Sequence, residues 1–255
     1  MTSALVREAA NNAKDVEARV NDFWDAVEEA LSWVPGSMGW AVEAVKSGLA
    51  DLRRRLDEFW ARVERLFAQP GDSDRLKEVG EQWATVVAEI CSDIAGNVGL
   101  EKMRSNIEWQ GPAAEAYKAQ VPPQAAGLNG IKDVALQIRN SLASLANSID
   151  VFWLTIKLAL ATFLVAVVGA IAAACTIVGV PVAIATVAAG IGVALSLVVA
   201  TVAALESHAN TIETEQTALH QKVKDLSDDW PLVDTTAMTD ATTEDGDPSD
   251  WRPNR

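Results

Sequence analysis

Charged residues are missing from the whole of Leu158 to Leu205, 48 consecutive positions in a chain of 255 residues whose charged fraction is 22%. Histidine is scarce as well. His208 and His220 stand twelve apart, and neither has a second His or a Cys at ligand spacing, so no metal site is expected. There are two cysteines, Cys91 and Cys175. Cys175 falls inside the uncharged stretch, so we expect two buried free thiols and no bridge. Basic residues are few: 21 Lys and Arg against 35 Asp and Glu leave a net charge of −14. Such a chain repels phosphate backbones, which argues against a nucleic-acid partner. It also lacks a polybasic patch for anionic lipid, so any membrane affinity must come from apolar burial. Met1 to Asn12 is polar and has no apolar core of a secretory leader, so no cleavable signal peptide is expected. The Gly-x-Ser-x-Gly, His-Glu-x-x-His and Gly-Lys-Ser/Thr patterns do not occur, and Gly190-Ile191-Gly192 lies in an apolar helix, where no phosphate loop forms. No enzyme, cofactor or small-molecule substrate is expected.

What is present is helical periodicity. Val16, Val20, Phe23, Val27 and Leu31 predict a helix from Ser3 to Trp33, ended by Val34-Pro35-Gly36. Val42, Val45, Leu49, Leu52, Leu56, Phe59, Val63 and Leu66 predict a second, reaching Ala68, with the 3-4 spacing of a coiled-coil seam. Asp22-Phe23-Trp24 and Glu58-Phe59-Trp60 repeat each other, which predicts similar packing layers. After Gln69-Pro70-Gly71, Asp72 or Ser73 caps a third helix, with Leu76, Val79, Trp83, Val86 and Ile90 on one face. A fourth begins at Pro112, and Pro122-Pro123 is expected to kink or break it. Leu205, Ile212, Leu219 and Leu226, spaced by seven, carry a last helix to about residue 229. The tail from Trp230 holds Pro, Thr, Asp and Gly and is expected to be disordered.

The uncharged stretch divides at Gly179-Val180-Pro181 into Leu158–Val178 and Val182–Leu205. About 20 helical residues cross a bilayer core of roughly 30 Å, and each half is long enough. The expected unit is a transmembrane-type hairpin over 151–206 with Gly179 and Pro181 at an apolar tip. Trp153 and Lys157 stand where an interfacial ring and a snorkelling amine would sit. Small residues form stripes: Ala188, Gly192, Ser196, Ala200 and Ala204 in one half; Thr162, Ala166, Ala170 and Ala174 in the other, beside Gly169. Such stripes let apolar helices approach closely. The stripes are expected to face each other or neighbouring copies, with Gly169, Gly190, Gly192 and their small neighbours carrying the helix packing. Three states stay open: a permanent anchor, a hairpin hidden in a soluble state and later inserted, and a hairpin buried permanently in a bundle.

Trp109-Gln110-Gly111-Pro112-Ala113-Ala114-Glu115-Ala116-Tyr117 joins two amphipathic helices, with Trp83 on the first. Gly111 allows a tight turn there, and Trp109 can pack across the mouth of the hairpin. This segment, from about Asp72 to Ile149, resembles the WXG family, the ESAT-like helical-hairpin substrates of type VII secretion. Trp109, Gly111, Pro112 and Tyr117 carry the resemblance. It implies export without a cleaved signal, pairing of helical bundles, and no catalysis. The Tyr-x-x-x-Asp/Glu export signal that members often carry is missing. Trp230-Pro231-Leu232-Val233-Asp234 has that spacing with Trp in place of Tyr. Members usually pair with a second chain, and here residues 1–70 are expected to supply that partner in cis.

The expected architecture is all-α: an elongated bundle of about five helices. Its parts are an N-terminal hairpin (1–70), a WXG-like helix-turn-helix (71–150), the apolar hairpin (151–206), a heptad helix (207–229) and an acidic tail (230–255). The layout is also similar to helical pore-forming toxins of the cytolysin A and hemolysin BL type, by analogy of arrangement alone. Two functions follow as expectations for a membrane-bound or secreted protein. One is membrane insertion with permeabilisation. The other is a membrane-anchored structural adaptor that binds another secreted helical protein. The expected partners are a lipid bilayer and either a second copy or another WXG-like protein.

Overall fold

The computed structural model describes residues 3–34, 39–102, 109–176, 178–229 and 252–253. The fold is all-α, with two long apolar helices packed as a hairpin. Its helices are α1 (Ala4–Ser32), α2 (Gly39–Ala68), α3 (Ser73–Gln82), α4 (Glu89–Asn97), α5 (Pro112–Ala174) and α6 (Val180–Asp229). A π-helical segment, Trp83–Ala88, joins α3 to α4, and a 3-10 turn, Leu100–Lys102, follows α4. Trp109–Gln110 pairs antiparallel with Arg252–Pro253. The chain divides into two compact units, 1–75 with 145–209 and 76–144 with 210–255.

The first unit is a four-helix bundle. The Ser3 hydroxyl caps α1 by accepting the Val6 N–H at 3.3 Å. The 3-4 rhythm then buries Val16, Val20, Phe23, Val27 and Ala30 on one face. α2 buries Leu52, Leu56, Phe59 and Val63 in the same way. These faces share one core with Phe152, Trp153, Ile156, Leu160, Phe163 and Val167 of α5 and with Val180, Val187, Ile191 and Val198 of α6. Phe59 meets Phe163 edge-on at 5.1 Å. The repeated Phe-Trp pairs do form similar layers. Phe23 and Phe59 are buried, each edge-on to the following tryptophan at 5.4 and 5.2 Å. Outward-facing charges on α2 pair along the helix, with Arg54 and Arg55 both on Asp51. Their guanidinium hydrogen bonds, Arg55 first, hold the Asp51 carboxyl below its usual range.

The second unit gathers α3, α4, the first part of α5 and the end of α6. Arg139 of α5 forms an ion pair with Glu81 at 2.8 Å. Lys222 donates to the Gln137 side chain at 2.9 Å, and Ser141 hydrogen-bonds Glu215. The heptad residues Ile212, Leu219 and Leu226 are half-buried along this seam.

Three expectations are corrected here. Of the kink or break expected at Pro122-Pro123, the break does not occur, and α5 continues through both prolines. The two missing N–H donors are tolerated in a helix held by packing on both sides of them, with Val121 fully buried. Trp83, Val86 and Ile90 do not face a core: they are exposed, and Gly80, Ala88 and Ala95 are turned inward or buried instead. The π-helical segment adds a residue to the turn and rotates the apolar face away from its 3.6-residue extrapolation. Finally, the buried faces of α1 and α2, expected to pair with the Trp-x-Gly helices, are packed on the apolar hairpin. Of the tail expected to be disordered, only Arg252–Pro253 is among the described residues, and it is paired with Trp109–Gln110; the rest of the tail and the Trp230–Asp234 spacing fall outside them.

Candidate functional site

The apolar hairpin is built from the second part of α5 and the first part of α6. It turns at the end of α5, where the Gly179 and Val180 N–H groups donate to the Thr176 carbonyl at 3.0 and 3.2 Å. A side chain at Gly179 would place its Cβ 1.9 Å from the Ala173 carbonyl oxygen, so this approach needs glycine. Pro181 sits in the first turn of α6, where a missing N–H costs nothing. Val178 at the tip is exposed, and Cys175 nearby is exposed as well, contrary to the buried thiol expected from the sequence.

α1 and α2 cover only one side of this hairpin. On the other side Val151, Leu158, Val165, Val168, Val182, Val193 and Val199 are each about half exposed or more, reaching 73% at Val165. Both long helices are apolar enough to cross a membrane by length and composition, and 33% of the most apolar window of each is buried. A core helix of a soluble protein buries most of that window. Thr162, Ala166, Pro181, Val182, Ala189 and Val193 line an open apolar groove on the uncovered side.

The small-residue stripes are placed differently from one another. Ala170 and Ala174 are buried and Ala166 is half-buried, whereas Gly169 is exposed with nothing within 4 Å of an added Cβ. On α6, Ala188 is half-buried, while Gly192, Ser196, Ala200 and Ala204 are exposed. The two stripes therefore do not meet within the chain. The close contact between the helices is made two positions away, at Gly190, where an added Cβ would stand 2.7 Å from the Ala166 Cβ and 3.2 Å from the Phe163 ring. The i+4 spacing gives a stripe but not its direction, so the sequence named Gly190 together with Gly169 and Gly192 and could not tell which of the three makes the contact.

Trp153 and Lys157 are also corrected. Trp153 is 1% exposed and is not at an interface. Its indole N–H donates to the Pro70 carbonyl at 2.7 Å, and its ring lies 5.0 Å from Phe67. Lys157 forms an ion pair with Glu8, and the Asn12 side chain donates to the Lys157 carbonyl at 3.2 Å. Both residues fasten the N-terminal hairpin to the base of the apolar one. Ser73, which donates to Asp150 at 2.6 Å, fastens the start of α3 to α5. These partners are 77 to 149 residues apart in sequence, so no local pattern could reveal them.

At the Trp-x-Gly turn, Gly111 has φ +116°, a conformation that side chains disfavour. Its carbonyl accepts the Glu115 N–H at 3.1 Å, and Pro112 opens α5. The Trp109 and Tyr117 rings lie 5.6 Å apart, and the Trp109 indole nitrogen is buried without a hydrogen-bond partner among the described residues. Comparison with models of protein families, with characterised proteins and with solved structures finds no match.

Proposed function

We propose that this chain is a non-enzymatic, type VII secretion-associated protein of WXG type that places its apolar helical hairpin in a lipid bilayer and permeabilises it. The observation that carries the membrane part is the uncovered side of α5 and α6, uncharged from Leu158 to Leu205 and left exposed by α1 and α2. Contiguous apolar surface of this extent marks a contact with lipid or with another protein. Lipid is favoured because the tip, Val178 to Pro181, is also free of polar side chains, so nothing charged needs to cross. The secretion part rests on the Trp109-x-Gly111 turn, with its left-handed glycine and its Trp109–Tyr117 ring contact.

Fractionation of cells and culture fluid, followed by alkaline carbonate extraction, tests the membrane part. Carbonate-resistant protein supports it, and protein wholly released by carbonate refutes it. Release of a trapped dye from protein-free vesicles tests permeabilisation, and no leakage across pH and lipid composition refutes that element alone.

The adaptor reading is favoured by a different observation. Trp83, Val86, Ile90 and Ile94 form an exposed apolar stripe on the Trp-x-Gly helices. A helix with such a stripe suits a groove on a second helical protein. Co-purification of a stable helical partner, lost on Val86→Glu with Ile90→Glu, supports this reading if vesicles are left intact.

A further inference from the structure

The packed bundle and a membrane-spanning hairpin exclude each other. α2 runs along the apolar hairpin from near its tip, where Gly48 faces Ile184, through Phe59 against Phe163, to its base, where Phe67 lies on Trp153. The 20 residues from Gly48 to Phe67 rise roughly 30 Å as helix, the thickness of a bilayer core. Over that length α2 carries nine charged residues, Asp51 to Arg65. Eight of them are exposed and the ninth, Asp51, is half-buried. A hairpin that spanned lipid with α2 attached would hold these charges at hydrocarbon depth, where they are strongly disfavoured.

We propose that α1 and α2 form a releasable cover, which swings off the apolar hairpin as a unit before the hairpin can span. The inference rests on the membrane reading above. The hinge is Pro70–Gly71, between α2 and α3, where Gly71 has φ +72°. On the far side of the hinge Ser73 stays tied to Asp150 of α5, so the cover can leave while α3 remains in place. Release parts the apolar core that α1 and α2 share with the hairpin, and with it three polar fastenings: the Lys157–Glu8 ion pair, the Asn12 bond to the Lys157 carbonyl and the Trp153 bond to Pro70. The apolar faces of α1 and α2 freed by release are amphipathic, and helices of that kind lie in a bilayer interface with their charges in water.

A reversible tie tests the cover. In a full-length chain with Cys91→Ser, the pair Gly48→Cys and Ile184→Cys is oxidised to a disulfide across the cover and the hairpin. An added Cβ at Gly48 lies 3.6 Å from the Ile184 side chain. Cys175, exposed near the tip, then takes a fluorophore. The protein is added to phosphatidylcholine vesicles with a membrane-impermeant quencher trapped inside. Lumenal quenching in the reduced protein that is lost in the oxidised protein supports the cover. Equal quenching in both overturns the cover and leaves the membrane reading standing. Quenching in neither overturns the spanning hairpin and the cover with it.

Discussion

Two glycines on one turn of α6 should respond to the same substitution with opposite sign. Gly190→Ala puts a methyl 2.7 Å from the Ala166 Cβ and 3.2 Å from Phe163. The Ala166 methyl is fixed to its backbone and cannot rotate aside, so the two helices of the hairpin must part. Overpacking of this kind costs roughly 1–3 kcal/mol, and replacing glycine in a helix returns about 0.5–1 kcal/mol, so a net loss near 1–2 kcal/mol is expected. Gly192→Ala meets nothing within 4 Å and keeps only the helix gain, so it should stabilise by about 0.5–1 kcal/mol. Denaturation of the two variants and the parent, followed by helical circular dichroism in the same buffer, measures the difference. If the two shifts share a sign, or if Gly192→Ala is the destabilising one, α6 is rotated from the orientation described and the stripe through Gly192 is the true contact.

Trp153→Phe should cost about 1–3 kcal/mol in the same assay, because the Pro70 carbonyl loses its 2.7 Å donor in a buried setting; an unchanged midpoint would show that water replaces it. Gly111→Ala forces a side chain to φ +116° and should destabilise by about 1–3 kcal/mol, read as earlier melting; no shift would mean the turn relaxes to negative φ. The Asp72 carboxyl accepts the Arg75 N–H at 2.9 Å, and this bond lowers its pKa from 3.8. Its contribution to stability is present above pH 3.8 and is lost as pH falls through the lower folded value. Asp72→Asn, which keeps the acceptor, should flatten that part of the pH–stability profile, and a profile identical to the parent's would contradict the cap. Cys175 should react with a maleimide faster than half-buried Cys91 without lipid, and vesicles should slow it; mass spectrometry of the labelled peptides tests both, and a Cys175 rate unaffected by vesicles would speak against lipid contact at the tip.

The helix limits were largely legible in the sequence, because caps and breakers act within a few residues. α1 and α2 end within a residue or two of the positions that Ser3, Pro35 and Gln69-Pro70-Gly71 suggest, and the uncharged hairpin turns at the Gly179–Pro181 segment. Pro122-Pro123 shows the limit of such local rules, since packing on either side carries α5 through them. The Trp83–Ile90 face shows another, since one π-turn moves every residue after it.

The sequence alone determined that two uncharged helices, each long enough to cross lipid, are joined by an apolar tip, because charge and length are properties of the chain itself. It could not determine which side of them is covered. A helix that is apolar all round has no stripe to orient it, so its neighbours must choose its faces. Only the tertiary structure decided that α1 and α2 lie on the hairpin, that Gly190 and not Gly192 makes the close contact, and that Trp153 and Lys157 are fastenings. Those choices depend on side chains meeting across many tens of residues, where the fit of surfaces, and no local pattern, sets the energy.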